Sequence, residues 1–398
     1  AGERIPYYLK RLEKEVNRIY QPGLVDAPDI WLWDSLMSPV SKTYPFNVTA
    51  ETIGEEPVLL EVWVQGVSDF AADPDHHLRL YVNGTYLTET FWDGKADQIL
   101  TAEIGPGLLT EGENVLELEN VGDTEARVSL VMLDRFRLSY PRQLVAEEGV
   151  LEGEWALSGR ADVSGLEGLA FVLDVTEPQR PQWLLDVQDS SFSAEAGRQY
   201  LAVSQSAVKL PEVRKPHAPS LTNGDHQADY IIIGPAVFVE AAEPLRQYRE
   251  SQGLTTMAVP IESIYNEFGY GETTPQSIRS FLEYAYHQWA SPSVRYVVLL
   301  GDASYDFKDY TGTGVSNDVP TLSVKTDYFW ASSDPTLAAI NGDDLLPDVA
   351  IGRLPAATVE EVERTVAKII AYETGQADLS AAKVLVADNP CLLYTSDA

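Results

Sequence analysis

Apolar and polar positions change their period twice along this chain. Between residues 3 and 20, Tyr8, Leu12, Val16 and Ile19 stand at helical spacing with Lys and Arg between them, which predicts a short amphipathic helix. A proline-rich segment carrying Trp31 and Trp33 follows. From about Tyr44 to Arg142 the period becomes two. Val58, Leu60, Val62 and Val64 alternate with other residues, as do Leu78, Leu80 and Val82, and the trend continues through Val115 to Glu119 and Val128 to Met132. The pairs Asn83-Gly84, Asp93-Gly94, Glu111-Gly112 and Gly122-Asp123 supply turns between these runs. Short strands at such spacing predict an antiparallel β-sandwich of jelly-roll type. Residues 143–222 read as a smaller, sparser β-rich module, closed by a linker with prolines at 211, 216 and 219.

After Asp229 the pattern changes again. Tyr230 to Ile233 is a continuous apolar run, as expected of a strand buried on both faces. A helix is predicted from about Val237 to Gln252, stopped by Gly253, and a second strand from Thr255 to Ile261. Thr274 caps a further helix with Pro275 at its first position and Ile278, Phe281, Leu282 and Ala285 on one stripe. Tyr296 to Leu300 is a third strand, Val349 to Ile351 a short fourth, and Thr358 with Glu361 opens a last helix through a capping box. Lys383 to Ala387 begins a fifth strand. Strands alternating with helices call for a parallel, doubly wound sheet over 229–390. The chain is therefore expected to be multidomain, with an N-terminal helical or irregular segment at 1–43, a β-sandwich at 44–142, a small β-rich module and linker at 143–222, and the α/β domain.

Composition narrows the function classes. With 28 basic against 61 acidic residues the net charge is −33, which opposes binding to nucleic acid, where lysine and arginine must displace counterions, and to anionic membranes. It suits a soluble exported protein, a saline habitat or loops that gather divalent cations, and a solvated acidic surface is the commonest single cause. No run of residues is long and apolar enough for a membrane span. The single cysteine, Cys391, excludes an intramolecular disulfide. Tyr86, Phe91 and Trp92, near the sandwich turns, suit either a sugar-binding platform or the interior, and the interior is the commoner use.

Ligands of open parallel sheets bind at the carboxyl ends of the strands, which here are Gly234, Gly301-Asp302-Ala303-Ser304-Tyr305 and Asp388-Asn389. The motifs at these ends are more specific than the pattern. Ala228-Asp-Tyr-Ile-Ile-Ile-Gly234, Val298-Leu-Leu-Gly-Asp-Ala-Ser304, Thr326-Asp-Tyr328, Asn341-Gly-Asp-Asp344, Pro347-Asp-Val-Ala-Ile-Gly-Arg-Leu-Pro355 and Lys368-Ile-Ile-Ala-Tyr-Glu373 closely resemble the catalytic domain of the gingipain-type cysteine peptidases, relatives of the caspases. The resemblance implies a caspase-like α/β fold, a secreted or cell-surface bacterial endopeptidase with upstream β-modules, a protein or peptide substrate, and a Cys–His pair.

In that family the histidine follows a later strand in a Gly-His-Gly-like turn and the cysteine follows the next. This sequence contains no Gly-His-Gly, and neither His76, His77, His217, His226 nor His287 ends a strand of the expected sheet. The expectation is a fragment that stops before both groups and is itself inactive. Cys391 is rejected as the nucleophile: Cys391 to Ala398 departs from the family pattern, resembles a translated sequencing adapter, and is expected to be a non-native tail. Asp388 occupies the position from which a family carboxylate orients the catalytic histidine. No cofactor is required by such chemistry. The resemblance does imply structural calcium, for which Asp327, Asp343, Asp344 and Asp348 are the candidate ligands. They follow no strict calcium-loop spacing, and Asn, Gly and Asp also form turns in their own right. A degenerate peptidase domain serving as a surface adhesion scaffold, with glycan binding by the sandwich, is the competing expectation.

Overall fold

The computed structural model describes residues 3–23, 29–49, 58–168, 170–213, 220–222, 226–342 and 344–376. The chain divides into two compact units, Ala1–Arg214 with Asp327–Phe329, and Lys215–Thr326 with Trp330–Ala398.

The strands of the first unit are β1 (Tyr8–Glu15), β2 (Ile19–Tyr20), β3 (Trp31–Leu32), β4 (Asp34–Met37), β5 (Val40–Val48), β6 (Val58–Gly66), β7 (His76–Val82), β8 (Thr85–Trp92) and β9 (Asp97–Ile104). They continue with β10 (Gly112–Asn120), β11 (Leu130–Arg142), β12 (Val150–Trp155), β13 (Gly159–Asp162), β14 (Ala170–Asp174), β15 (Gln182–Trp183), β16 (Ser191–Ala194) and β17 (Arg198–Ser204). One sheet has the order β15-β14-β17-β12-β1-β11-β6-β9, with β4 also on β11, and a second has the order β5-β10-β7-β8. Period-two alternation produces the sandwich. Leu60, Val62 and Val64 of β6 and Phe136 and Leu138 of β11 share one core with Leu78, Leu80 and Val82 of β7 and Leu116 and Leu118 of β10. Each such side chain contributes about 1.5–3 kcal/mol by leaving water. Asn83 and Gly84 carry φ of 48° and 77°, the two left-handed residues that a tight β7–β8 hairpin needs.

The predicted helix at 3–20 is a strand instead. Tyr8 and Leu12 are four apart, a spacing that one helix face and one strand face both satisfy, so the pattern alone does not decide. Pairing does: Tyr8 to Glu15 are matched antiparallel against Arg142 to Arg135 along all of β1. β1 also carries the sheet past residue 142, through its bridge between Leu9 and Glu154 of β12. A second core lies beyond it, where Trp155 stacks on Tyr8 and meets Phe192 and Tyr200 edge-on.

The second unit contains β18 (Tyr230–Gly234), α1 (Ala236–Ala241), α2 (Glu243–Ser251), β19 (Thr256–Pro260), α3 (Ile261–Phe268), α4 (Pro275–Gln288), β20 (Tyr296–Leu300), β21 (Leu322–Lys325), β22 (Trp330–Ser333), β23 (Ala350–Leu354) and α5 (Val359–Glu373). The sheet order is β19-β18-β20-β23 and every pairing is parallel. Both faces are covered. Ile231 and Ile233 pack with Ile264, Ile278 and Phe281 from α3 and α4, whereas Tyr230 and Ile232 pack with Phe238, Leu245, Val362 and Val366 from α1, α2 and α5.

Two helices differ from expectation. The single helix at 237–252 breaks at Ala242, because Pro244 offers no N–H to the preceding turn and its ring would strike a carbonyl there. α3 was not foreseen, although its buried Ile261, Ile264 and Tyr265 recur at helical spacing. Thr274 and Thr358 cap as anticipated, accepting from Ser277 N and Glu361 N. Glu361 returns its bond to Ala357 N at 2.9 Å, one residue before the box position. The fifth strand expected at 383–387 lies outside the described residues.

Candidate functional site

The order β19-β18-β20-β23 reverses direction between β18 and β20, and the crevice beyond their carboxyl ends is where a doubly wound sheet receives ligands. Gly234 and Leu300 form its floor. The strands approach so closely there that a Cβ on Gly234 would sit 2.7 Å from the Leu300 carbonyl oxygen. Gly301 turns the chain off β20 with φ of 127°, and a Cβ on it would meet Asp318 Cβ at 2.7 Å. The loop that follows is held by its own backbone and by short polar side chains. Val319 N donates to Asp302 O at 3.0 Å, and Ser304 N donates to Asn317 Oδ1 at 3.0 Å. The carboxylate of Asp306, itself buried, accepts from Tyr310 N, Thr311 N and Thr311 Oγ1.

Arg353, one residue before the end of β23, ties this loop to the β21–β22 hairpin. Its guanidinium donates to both Asp334 oxygens at 2.8 and 2.7 Å, to Gly301 O at 2.8 Å and to Val319 O at 2.7 Å. Burial acts to raise the Asp334 carboxyl, but the guanidinium more than offsets it and holds the group below the usual carboxylate range. On the β19 side, burial together with the Glu262 and Asp318 carboxylates pushes the Tyr265 hydroxyl well above the ordinary phenol range, against Arg353. The strand ends thus carry the charge-paired Arg353 and Asp334, with the Glu262 and Asp318 carboxylates near Tyr265. Sequence reasoning quoted Arg353 within a motif without giving it this role. An arginine next to the end of an otherwise uncharged strand was the available signal.

The structure brings few of the sequence-derived candidates together. Asp388, Cys391 and Asp343 lie outside the described residues, as does His217. Among the described residues no histidine stands at a carboxyl end of the sheet: His76 and His77 are in β7, His226 precedes β18, and His287 is exposed on α4. Asp327 is exposed. Asp344 Oδ1 accepts from Leu346 N at 3.1 Å, and Asp348 Oδ2 accepts from Ile340 N and Asn341 N, both at 2.8 Å. These bonds give Asp344 and Asp348 a turn-forming use. Among the described residues, the carboxylates that converge to within 4.8 Å as a trio are Glu15, Asp29 and Asp134 of the first unit, none of them from the expected set. In the sandwich Trp92 is core, while Tyr86 and Phe91 are about half exposed, at 49% and 50%. No helix among the described residues is long and apolar enough to cross a membrane.

An antiparallel β-sandwich unit followed by a four-stranded parallel sheet with helices on both faces defines the class: a β-module joined to a caspase-like α/β domain. Residues 223–397 match the model of peptidase family C25. The fold is shared with dimeric latent PorU from Porphyromonas gingivalis, at a TM-score of 0.70 and 18% identity over 94% of this chain and 38% of that one. RgpB from the same organism, in a complex of its pro- and mature domains, matches 36% of this chain and 28% of its own at 24% identity, with a TM-score of 0.29. An uncharacterized protein of Archaeoglobus fulgidus is 26% identical over 164 residues. The chain spans 35% of the length of that curated relative.

Proposed function

We propose that this chain is part of a secreted cysteine endopeptidase, in which the second unit supplies the front half of the catalytic domain. The whole enzyme would hydrolyse peptide bonds of protein substrates by attack of a cysteine thiolate on the carbonyl carbon. A histidine would take up the thiol proton and return it to the leaving amine. Neither group stands at the described strand ends, and this polypeptide is accordingly proposed to be inactive. The observation that carries the reading is the match of residues 223–397 to family C25, on a sheet whose crevice falls at the family's strand ends. Asp388, next after the expected fifth strand, is proposed to orient the histidine. The test is hydrolysis of casein by this chain and by a version carrying the natural downstream reading frame. Activity of the longer protein alone, abolished by replacing its strand-ending cysteine, supports the reading. Activity of the present chain, lost on Cys391→Ala, overturns the inactive-fragment part.

A second reading is favoured by the half-exposed Tyr86 and Phe91 on β8: a surface protein that binds glycans through the sandwich. Retardation in affinity electrophoresis on a polysaccharide, lost on Tyr86→Ala, supports it, and unchanged mobility across polysaccharides removes it.

A further inference from the structure

The outer face of the β5-β10-β7-β8 sheet holds a histidine in an arrangement that the peptidase reading does not use. The His77 side chain is 1% exposed. Its Nδ1 lies 2.6 Å from Asp123 Oδ1 and its Nε2 3.1 Å from Glu89 Oε2, with the Phe91 ring stacked on it at 3.8 Å. A neutral imidazole has one N–H and one lone pair, so it would set a lone pair against one of these carboxylates. Only the imidazolium donates to both.

The surrounding charges fit that state. From β7 itself Arg79 Nε donates to the same Glu89 oxygen at 3.0 Å, and its Nη1 lies 3.8 Å from Glu119 of β10. Tyr81 donates to Glu119 at 2.7 Å. Asp123 is held below the usual carboxylate range chiefly by His77, and Glu89 by Arg79 and then His77. Asp75 turns its carboxylate to Phe70 N and Gly94 N, and His76 faces Ser129 and Trp92 in the interior. Asp123 belongs to the connection between β10 and β11. That connection is otherwise attached here through Val121 N to His77 O at 3.0 Å and Thr124 Oγ1 to Asp75 O at 3.0 Å.

We propose that His77 is a proton-operated clasp: charged, it ties the 121–124 connection to β7 and β8, and loss of its Nδ1 proton to water, with Nε2–H kept on Glu89, releases Asp123 and loosens that connection. The hold is present while the ring is charged and disappears once Nδ1 carries a lone pair. The inference is independent of any peptidase activity.

The experiment is amide hydrogen exchange of Val121 to Thr124 in the full chain between pH 5 and 9, corrected for intrinsic exchange, with the His77 ring followed by NMR. Protection of these amides should fall by about tenfold as the ring deprotonates, while β6 and β11 stay protected. Asp123→Asn keeps the histidine and should give fast exchange with no pH step. His77→Gln should also remove the step. A protection profile flat across the ring's titration, or a step that persists in Asp123→Asn, overturns the clasp.

Discussion

At the scale of single residues, two side chains set measurable consequences. Arg353 has little freedom of replacement, since its planar fork meets a carboxylate and two carbonyls at once. Arg353→Ala leaves Asp334 without its counter-charge and should destabilise the second unit by about 3–5 kcal/mol, read by urea unfolding. Because the Asp334 carboxyl is held low, the wild-type advantage is present above the ordinary carboxylate range. It is lost only as pH falls through the depressed titration. Asp134 behaves in the opposite sense. It is the bulge residue of β11, where pairing with β6 skips from Leu133 to Arg135. Burial raises its carboxyl to about 6, with Asp29, Glu15 and Glu13 adding to the shift against Arg135. The native state therefore prefers the protonated form, and stability declines as pH climbs from about 4 to 6. Asp134→Asn should leave the first unit more stable than wild type at pH 8, by about 1–2 kcal/mol, and no more stable at pH 4. Melting temperatures at the two pH values check the crossover.

At the scale of elements, the join between β1 and β12 is a close fit. A Cβ on Gly153 would come within 2.3 Å of the Tyr8 ring and 2.6 Å of Leu9 O. Gly153→Ala should cost about 1–3 kcal/mol and broaden the tryptophan signals of the core around Trp155, while Gly105→Ala, in open space, serves as the control for chain stiffness. The same join explains what could be read in advance. β6, β7, β18 and β20 were legible because each repeats one period over a run bounded by turn residues. The two capped helices were legible from Thr274 and Thr358. β1 was not, since its partner lies at the far end of the sandwich sequence and local spacing suited either period. Legibility of the candidate site was narrower still. The strand ends could be named, but the convergence of Arg353, Asp334, Gly301 and Val319 depends on loops whose contacts leave no periodic trace.

At the scale of the whole molecule, a net charge of −33 makes self-repulsion a general term. Raising sodium chloride from about 0.02 to 0.2 M shortens the screening length severalfold and should raise the melting temperature. Calcium at matched ionic strength should add nothing to the second unit if Asp344 and Asp348 act only as turn formers. A further calcium-specific rise, removed by Asp348→Asn, would assign these carboxylates to a metal.

The position of β1 also bears on how such a chain is made. β1 lies between β11 and β12 in the finished sheet, so once synthesised it must wait for both of them. At about 5–20 residues per second that wait lasts roughly ten seconds. During it the alternating tyrosine, leucine and lysine side chains of β1 are open to chaperones and to neighbouring nascent chains. Deletion of β1 should therefore yield inclusion bodies rather than a soluble product.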